Sequence, residues 1–241
     1  MSTPVATAGG RTMGGYKERA KAAAHAVLDP VVGGMATIGL RPNHLTLLGF
    51  TLSLGAGYAF ALGRFRTGAL IALVSGLFDI LDGQLARRTN SITRFGAFFD
   101  STLDRLADAA LLLGFAGFYI LGLLDMAENP QRVLANLQNG LEPITFGVLA
   151  LLAMLSAVGS FMVSYTRARA EGLGLECKVG WFERPERMAL VIIMGFAGVG
   201  PVIPAGLLIL AGLTFATAFQ RMAHVWKLTR EAGPDSTRTE A

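Results

Sequence analysis

Six stretches of this chain are apolar and long enough to lie in lipid, and no other feature restricts its fold as much. They fall near residues 43–62, 67–88, 94–124, 143–171, 186–202 and 204–227. Hydrocarbon offers no water to unpaired N–H and C=O groups, so each stretch must satisfy its own backbone as a helix. About 20 residues cross a bilayer, so the third and fourth stretches should tilt or protrude. With 52% hydrophobic and 16% charged residues and a mean hydropathy of +0.50, the composition is far from that of a soluble domain. The expectation is an all-α polytopic membrane protein with a transmembrane domain over residues 41–230. Gly198–Pro204 reads as a tight turn, and residues 124–142 as a polar loop. Val133, Leu134 and Leu137 give the middle of that loop the spacing of a short surface helix. No internal repeat is visible.

The ends read differently. Residues 1–15 lack the apolar core of a secretory signal and are expected to be disordered, as is the polar tail 231–241. Residues 16–40 start with Lys17, Arg19 and Lys21, and Tyr16, Ala20, Ala24, Val27, Leu28, Val31 and Met35 keep a helical period. Pro30 and the Gly33-Gly34 pair interrupt it, so the expectation is an interfacial amphipathic helix rather than a span. Cys177 is alone, which excludes an intramolecular disulfide and a cysteine zinc cluster. His25, His44 and His224 are too scattered for a histidine metal site.

Lysine and arginine set the orientation. Seventeen of the 21 fall before the first span, between the second and third, after the fourth, or at the end of the sixth. Arg64, Arg66 and Arg132 fall on the opposite side, and Arg105 within the third span. Both termini should be cytoplasmic, in a cell or plasma membrane.

Against this apolar background stands the pattern Asp79-x2-Asp82-Gly83-x2-Ala86-Arg87-x8-Gly96-x3-Asp100-x3-Asp104. Ionisable groups at membrane depth are costly and usually functional. Asp79 and Asp82 are spaced i,i+3, and Asp100 and Asp104 i,i+4, so each pair shares one helix face. Two such faces opposed would gather carboxylates that repel until a divalent cation joins them. Asp79, Asp82 and Asp100 suit as ligands for divalent cations, expected as a pair, and Asp104 suits both as a ligand and as a base toward a hydroxyl. Gly83, Ala86 and Gly96 keep the surface small for a ligand or a facing helix, and glycine inside a helix costs about 1 kcal/mol. Arg87 is placed for a phosphate. The plainer alternatives are salt bridges to Arg87, Arg88, Arg94 and Arg105, and ordinary small-residue packing.

At every fixed position this pattern resembles the signature of the CDP-alcohol phosphotransferases. The resemblance implies an N-terminal surface helix, six spans and a homodimer. It also implies transfer of a substituted phosphate from a CDP-alcohol to a hydroxyl, with release of CMP, using Mg2+ or Mn2+, two ions being expected. It assigns Asp79, Asp82 and Asp100 to metal, Asp104 to metal and base, and Gly83, Ala86 and Arg87 to CDP. Pro42-Asn43-x-Leu45-Thr46 is similar to a family segment near the nucleotide, which brings Asn43 and Thr46 to that site; it also reads as a plain helix start.

Ser164–Glu171 and Glu183–Arg187 bear on the acceptor. Arg167, Arg187 and Arg221 could converge on a phosphate of the acceptor, or simply anchor helix ends. Both segments resemble those of the phosphatidylinositol-phosphate and archaetidylinositol-phosphate synthase branch. There a basic residue at the position of Arg167, and the Pro-x-Arg of Pro185 and Arg187, bind inositol 1-phosphate; Arg167 stands where lysine is frequent. The expected partners are a CDP-lipid, a phosphorylated polyol and the bilayer, with no nucleic acid. Glycerol 3-phosphate is the alternative acceptor. A cation transporter is the alternative of another class, but it would spread its carboxylates along a path across the membrane.

Overall fold

The computed structural model describes residues 29–138 and 142–231. Its helices are α1 (29–37), α2 (Pro42–Ala61), α3 (Phe65–Arg88), α4 (Arg94–Glu128), α5 (Pro130–Gln138), α6 (Pro143–Glu171), α7 (Arg184–Ala197) and α8 (Val202–Glu231). Starts and stops follow local chemistry. Proline occupies the first turn of α2, α6 and α7, where its missing N–H costs nothing. Thr93 caps α4 by accepting from the Gly96 N–H at 2.9 Å. Asn90, at φ 53°, lets the chain reverse between α3 and α4.

Six helices close a ring. α2 packs on α3 and α4, α3 on α7, α7 on α8, α8 on α6, and α6 back on α4. Small residues permit the closest approach: a Cβ on Gly57 would overlap the Ala110 carbonyl, and one on Gly114 would overlap the Gly57 carbonyl. Half of the ring interior is apolar. Phe60 stacks on Phe115 at 4.5 Å between centroids, and Phe65 lies against both. Outward, Leu70, Leu77, Leu113, Leu151, Val158 and Leu208 remain exposed, as a lipid-facing surface requires.

Five helices are long and apolar enough to cross a membrane: α2, α3, α4, α6 and α8. The chain is therefore an all-helical multi-pass membrane protein. The expected stretch 186–202 forms a shorter helix than its hydropathy suggests: α7 has 14 residues, a length of about 21 Å at 1.5 Å per residue. Gly198 at φ 71° and Gly200 at φ 158° turn the chain before 202. α4, with 35 residues, overshoots a bilayer as expected, and α5 lies in the middle of the polar loop.

The interfacial helix is described only from residue 29, and residues 1–15 and 232–241 lie outside the described residues. Gly33-Gly34 does not break α1. Its Val32 is buried against Leu45, Leu81 and Leu85. Arg88 donates to the Asp29 carbonyl at 3.1 Å and to its carboxylate at 2.8 Å. Packing on the start of α2 and the end of α3 offsets the helix-breaking tendency of the glycines.

Candidate active site

The short turn after α3 brings the charged ends of α3 and α4 side by side, beside the start of α2. Asp82 is buried and accepts a 2.6 Å hydrogen bond from the Thr46 hydroxyl of α2. Thr46 is thereby placed as a support for Asp82 as well as a wall residue. Gly49, one turn further along α2, faces Asp79: a Cβ there would stand 3.2 Å from Asp79 Oδ1. A Cβ on Gly96 would press on Thr93 Oγ1 at 3.0 Å and Asn43 Oδ1 at 3.5 Å, so glycine serves both the cap and the approach of Asn43. Gly83 differs: nothing closer than the Arg87 guanidinium, at 3.8 Å, meets its missing side chain. It opens onto space, and helix packing does not explain it.

Two cavities flank the aspartates. One, of about 210 Å³, is lined by Asn43, Thr46, Asp82, Gly83, Ala86, Arg87, Gly96 and Asp100. All five residues expected to contact CDP line it. The other, of about 160 Å³, is lined by Asp104, Arg105, Asp108, Arg167, Glu183, Arg184, Pro185, Arg187 and Arg221. All four residues expected to contact the acceptor line that one. The structure thus brings the two expected sets to opposite sides of one carboxylate cluster.

The charges pair in a way the sequence did not announce. Arg184 Nη2 lies 2.7 Å from Asp79 Oδ2 and 3.0 Å from Asp104 Oδ1. Its Nε is buried without a hydrogen-bond partner, 3.5 Å from Asp108 Oδ1. Arg187 donates to Asp108 Oδ2 from Nη2 at 2.6 Å and from Nε at 3.3 Å, both side chains being buried. Of the arginines considered from sequence as carboxylate partners, Arg88 turns instead to Asp29. Arg184 and Asp108 are the residues of this cluster to which the sequence assigned no role. Asp108 continues the Asp100, Asp104 spacing by one more turn, and Arg184 stands in the quoted Glu183–Arg187 segment; those were the available signals.

The expected acceptor arginines are not equivalent. Arg221 is buried, donating to the Val179 carbonyl at 2.8 Å, the Val163 carbonyl at 2.5 Å and Glu183 at 3.2 Å. Arg167 is far more exposed and pairs with Glu171 at 2.9 Å. Arg187 has its Nε and Nη2 committed to Asp108.

Among the described residues no three histidine, cysteine or acidic side chains are gathered as a ready ligand set, and the Arg184 guanidinium bridges Asp79 and Asp104. The donors nonetheless fit a hard divalent cation. Asp79, Asp82, Asp100 and Asp104 supply only oxygens, the donor type such a cation prefers.

Residues 40–219 match the family described as CDP-alcohol phosphatidyltransferase. The chain belongs to this family. It is therefore a transferase of phospholipid synthesis, embedded in a membrane. It is 37% identical to the archaetidylinositol phosphate synthase of Methanothermobacter thermautotrophicus over 203 residues, covering 83% of this chain and 89% of that one. It is 33% identical to the phosphatidylinositol phosphate synthase of Mycobacterium tuberculosis over 215 residues, covering 86% and 88%. The crystal structure of that mycobacterial enzyme with manganese and citrate superposes with a TM-score of 0.69 at 30% identity, covering 88% of this chain and 92% of that one. Its structure with CDP-DAG bound gives 0.66, covering 88% and 97%.

Proposed function

We propose that this enzyme transfers the phosphatidyl group, or an equivalent lipid phosphate, from a CDP-lipid to inositol 1-phosphate and releases CMP. The observation that carries this reading is the arginine-lined cavity against Asp104, back to back with the cavity of Asn43, Gly83, Ala86 and Arg87. Arginine is the residue suited to bidentate phosphate recognition, so the first cavity fits an acceptor that carries its own phosphate. Serine would leave that charge unused. The names of the relatives agree with this choice.

In this reading Arg87 meets the pyrophosphate of the CDP-lipid, and Gly83 and Ala86 let the nucleotide lie against α3. Asn43 reaches it from α2. Asp79, Asp82, Asp100 and Asp104 would hold Mg2+ or Mn2+, with room in the donor set for two ions. When bound, the metal neutralises charge on the pyrophosphate. Asp104 also accepts the proton of the acceptor hydroxyl at a carboxylate oxygen. The hydroxyl oxygen bonds to the phosphorus that carries the lipid alcohol, the P–O bond to CMP breaks, and CMP leaves with the electron pair. In-line attack and departure would require the walls of the two cavities to hold both phosphates.

The test is CMP release by purified protein with CDP-diacylglycerol and Mn2+, adding inositol 1-phosphate, glycerol 3-phosphate or serine in turn. Release with inositol 1-phosphate alone is the expected result. Release with glycerol 3-phosphate and none with inositol 1-phosphate would overturn the acceptor assignment. We further infer that both termini and the site face the cytoplasm, from the 17 basic residues on that side, and that the enzyme assembles as a homodimer. Reporter fusions at the C-terminus and light scattering in detergent test these.

A further inference from the structure

We propose that Arg184 is a displaceable counter-ion. It neutralises Asp79 and Asp104 until a divalent cation takes them, and is then received by Asp108 and by the acceptor phosphate in the neighbouring cavity. Three observations lead there. First, one nitrogen of Arg184 serves both Asp79 Oδ2, at 2.7 Å, and Asp104 Oδ1, at 3.0 Å. A cation held by the same two oxygens would face a guanidinium at close range, and like charges at that distance in a partly buried site repel strongly. The two occupants exclude each other. Second, a receiving group stands ready. Arg184 Nε is buried and unbonded, while Asp108 Oδ1 lies 3.5 Å away and the other Asp108 oxygen is taken by Arg187. A short shift completes the missing hydrogen bond, which relieves the cost of a buried unsatisfied donor. Third, Arg184 is the first residue of α7, after an extended Glu183, and it lines the arginine-rich cavity. Its side chain can turn from the carboxylates toward that cavity while Pro185 and the helix behind it stay in place.

The consequence is coupling between two binding events. A cation that expels Arg184 creates a donor in the acceptor cavity, and by linkage an acceptor phosphate that holds Arg184 strengthens cation binding. This second arm rests on the proposed acceptor; the first does not.

The experiment is Mn2+ titration of the purified full-length protein in detergent, following the paramagnetic resonance of free Mn2+. Without acceptor, Arg184→Gln should bind Mn2+ about tenfold more tightly than the unaltered protein, within the usual span of such couplings. Arg184→Lys, which keeps the charge, should stay near the unaltered value. Arg105→Gln removes another arginine from the same cavity wall, one near Asp100 but not paired with Asp79 or Asp104, and should tighten binding by clearly less than Arg184→Gln does. Saturating inositol 1-phosphate should tighten Mn2+ binding in the unaltered protein and have no effect in Arg184→Gln. Equal or weaker Mn2+ binding by a folded Arg184→Gln would overturn the proposal, as would an equal gain in Arg105→Gln, which would mark a general charge effect. Tighter binding in Arg184→Gln with no response of the unaltered protein to inositol 1-phosphate would uphold the counter-ion and overturn the acceptor.

Discussion

Thr46→Val isolates one hydrogen bond at the metal-facing carboxylates. The Thr46 hydroxyl has one proton and two acceptors nearby, Asp82 Oδ2 at 2.6 Å and the Pro42 carbonyl at 3.2 Å. The shorter contact to a carboxylate is the stronger. Both residues are 5% exposed, and valine offers Asp82 no donor in place of the hydroxyl. A hydrogen bond to a charged group is worth about 1.5–3 kcal/mol, and valine fills the same space, so little else changes. At about 1.4 kcal/mol per factor of ten, the loss corresponds to roughly 10–100-fold in cation affinity, the range found when a partner of a metal ligand is removed. Mn2+ titration of Thr46→Val and Thr46→Ser reads this directly. Serine keeps the hydroxyl and should bind nearly as the unaltered protein does. Should folded Thr46→Val bind Mn2+ within about twofold of the unaltered protein, Asp82 either is not a ligand or needs no orientation by Thr46.

Four further perturbations separate catalysis, binding and packing. Asp104→Asn should lower kcat by about 10²–10⁴ while CDP still binds, as seen by isothermal titration. Arg221→Ala should lower the melting temperature, because it strips a hydrogen bond from the buried Val163 carbonyl, at about 1–3 kcal/mol, and another from the part-buried Val179 carbonyl. Arg167→Ala, at an exposed pair, should leave the melting temperature unchanged and raise the acceptor KM. Gly114→Ala should cost at least about 1–3 kcal/mol, since its Cβ would overlap the Gly57 carbonyl; thermal melting in detergent checks it, with Gly76→Ala, where a Cβ meets nothing within 4 Å, as the control.

Much of this protein could be read from order along the chain. Apolar length gave the helices of the bundle, because the need to satisfy backbone groups in lipid acts within each segment. The i,i+3 and i,i+4 aspartates share helix faces for the same local reason, and a short turn sufficed to oppose them. Gly83 and Arg87 lie near that turn in sequence and share its cavity, whereas Asn43 reaches the same cavity from the start of α2. The length of α7 was less legible, since Gly198 and Gly200 end a stretch whose hydropathy alone continues.

Long-range pairing decided the rest. Arg184 reaches Asp79 across 105 positions and Arg187 reaches Asp108 across 79, separations at which no periodicity carries information. Whether Arg221 faces a ligand or braces two carbonyls depends on where the 172–183 segment and α6 run beside α8. The sequence by itself determined a membrane helix bundle with four carboxylates and a set of arginines, because those follow from composition and local spacing. Only the closed ring decided which arginine neutralises which carboxylate, because ion pairing depends on distance in space and the ring brings α7 against α3.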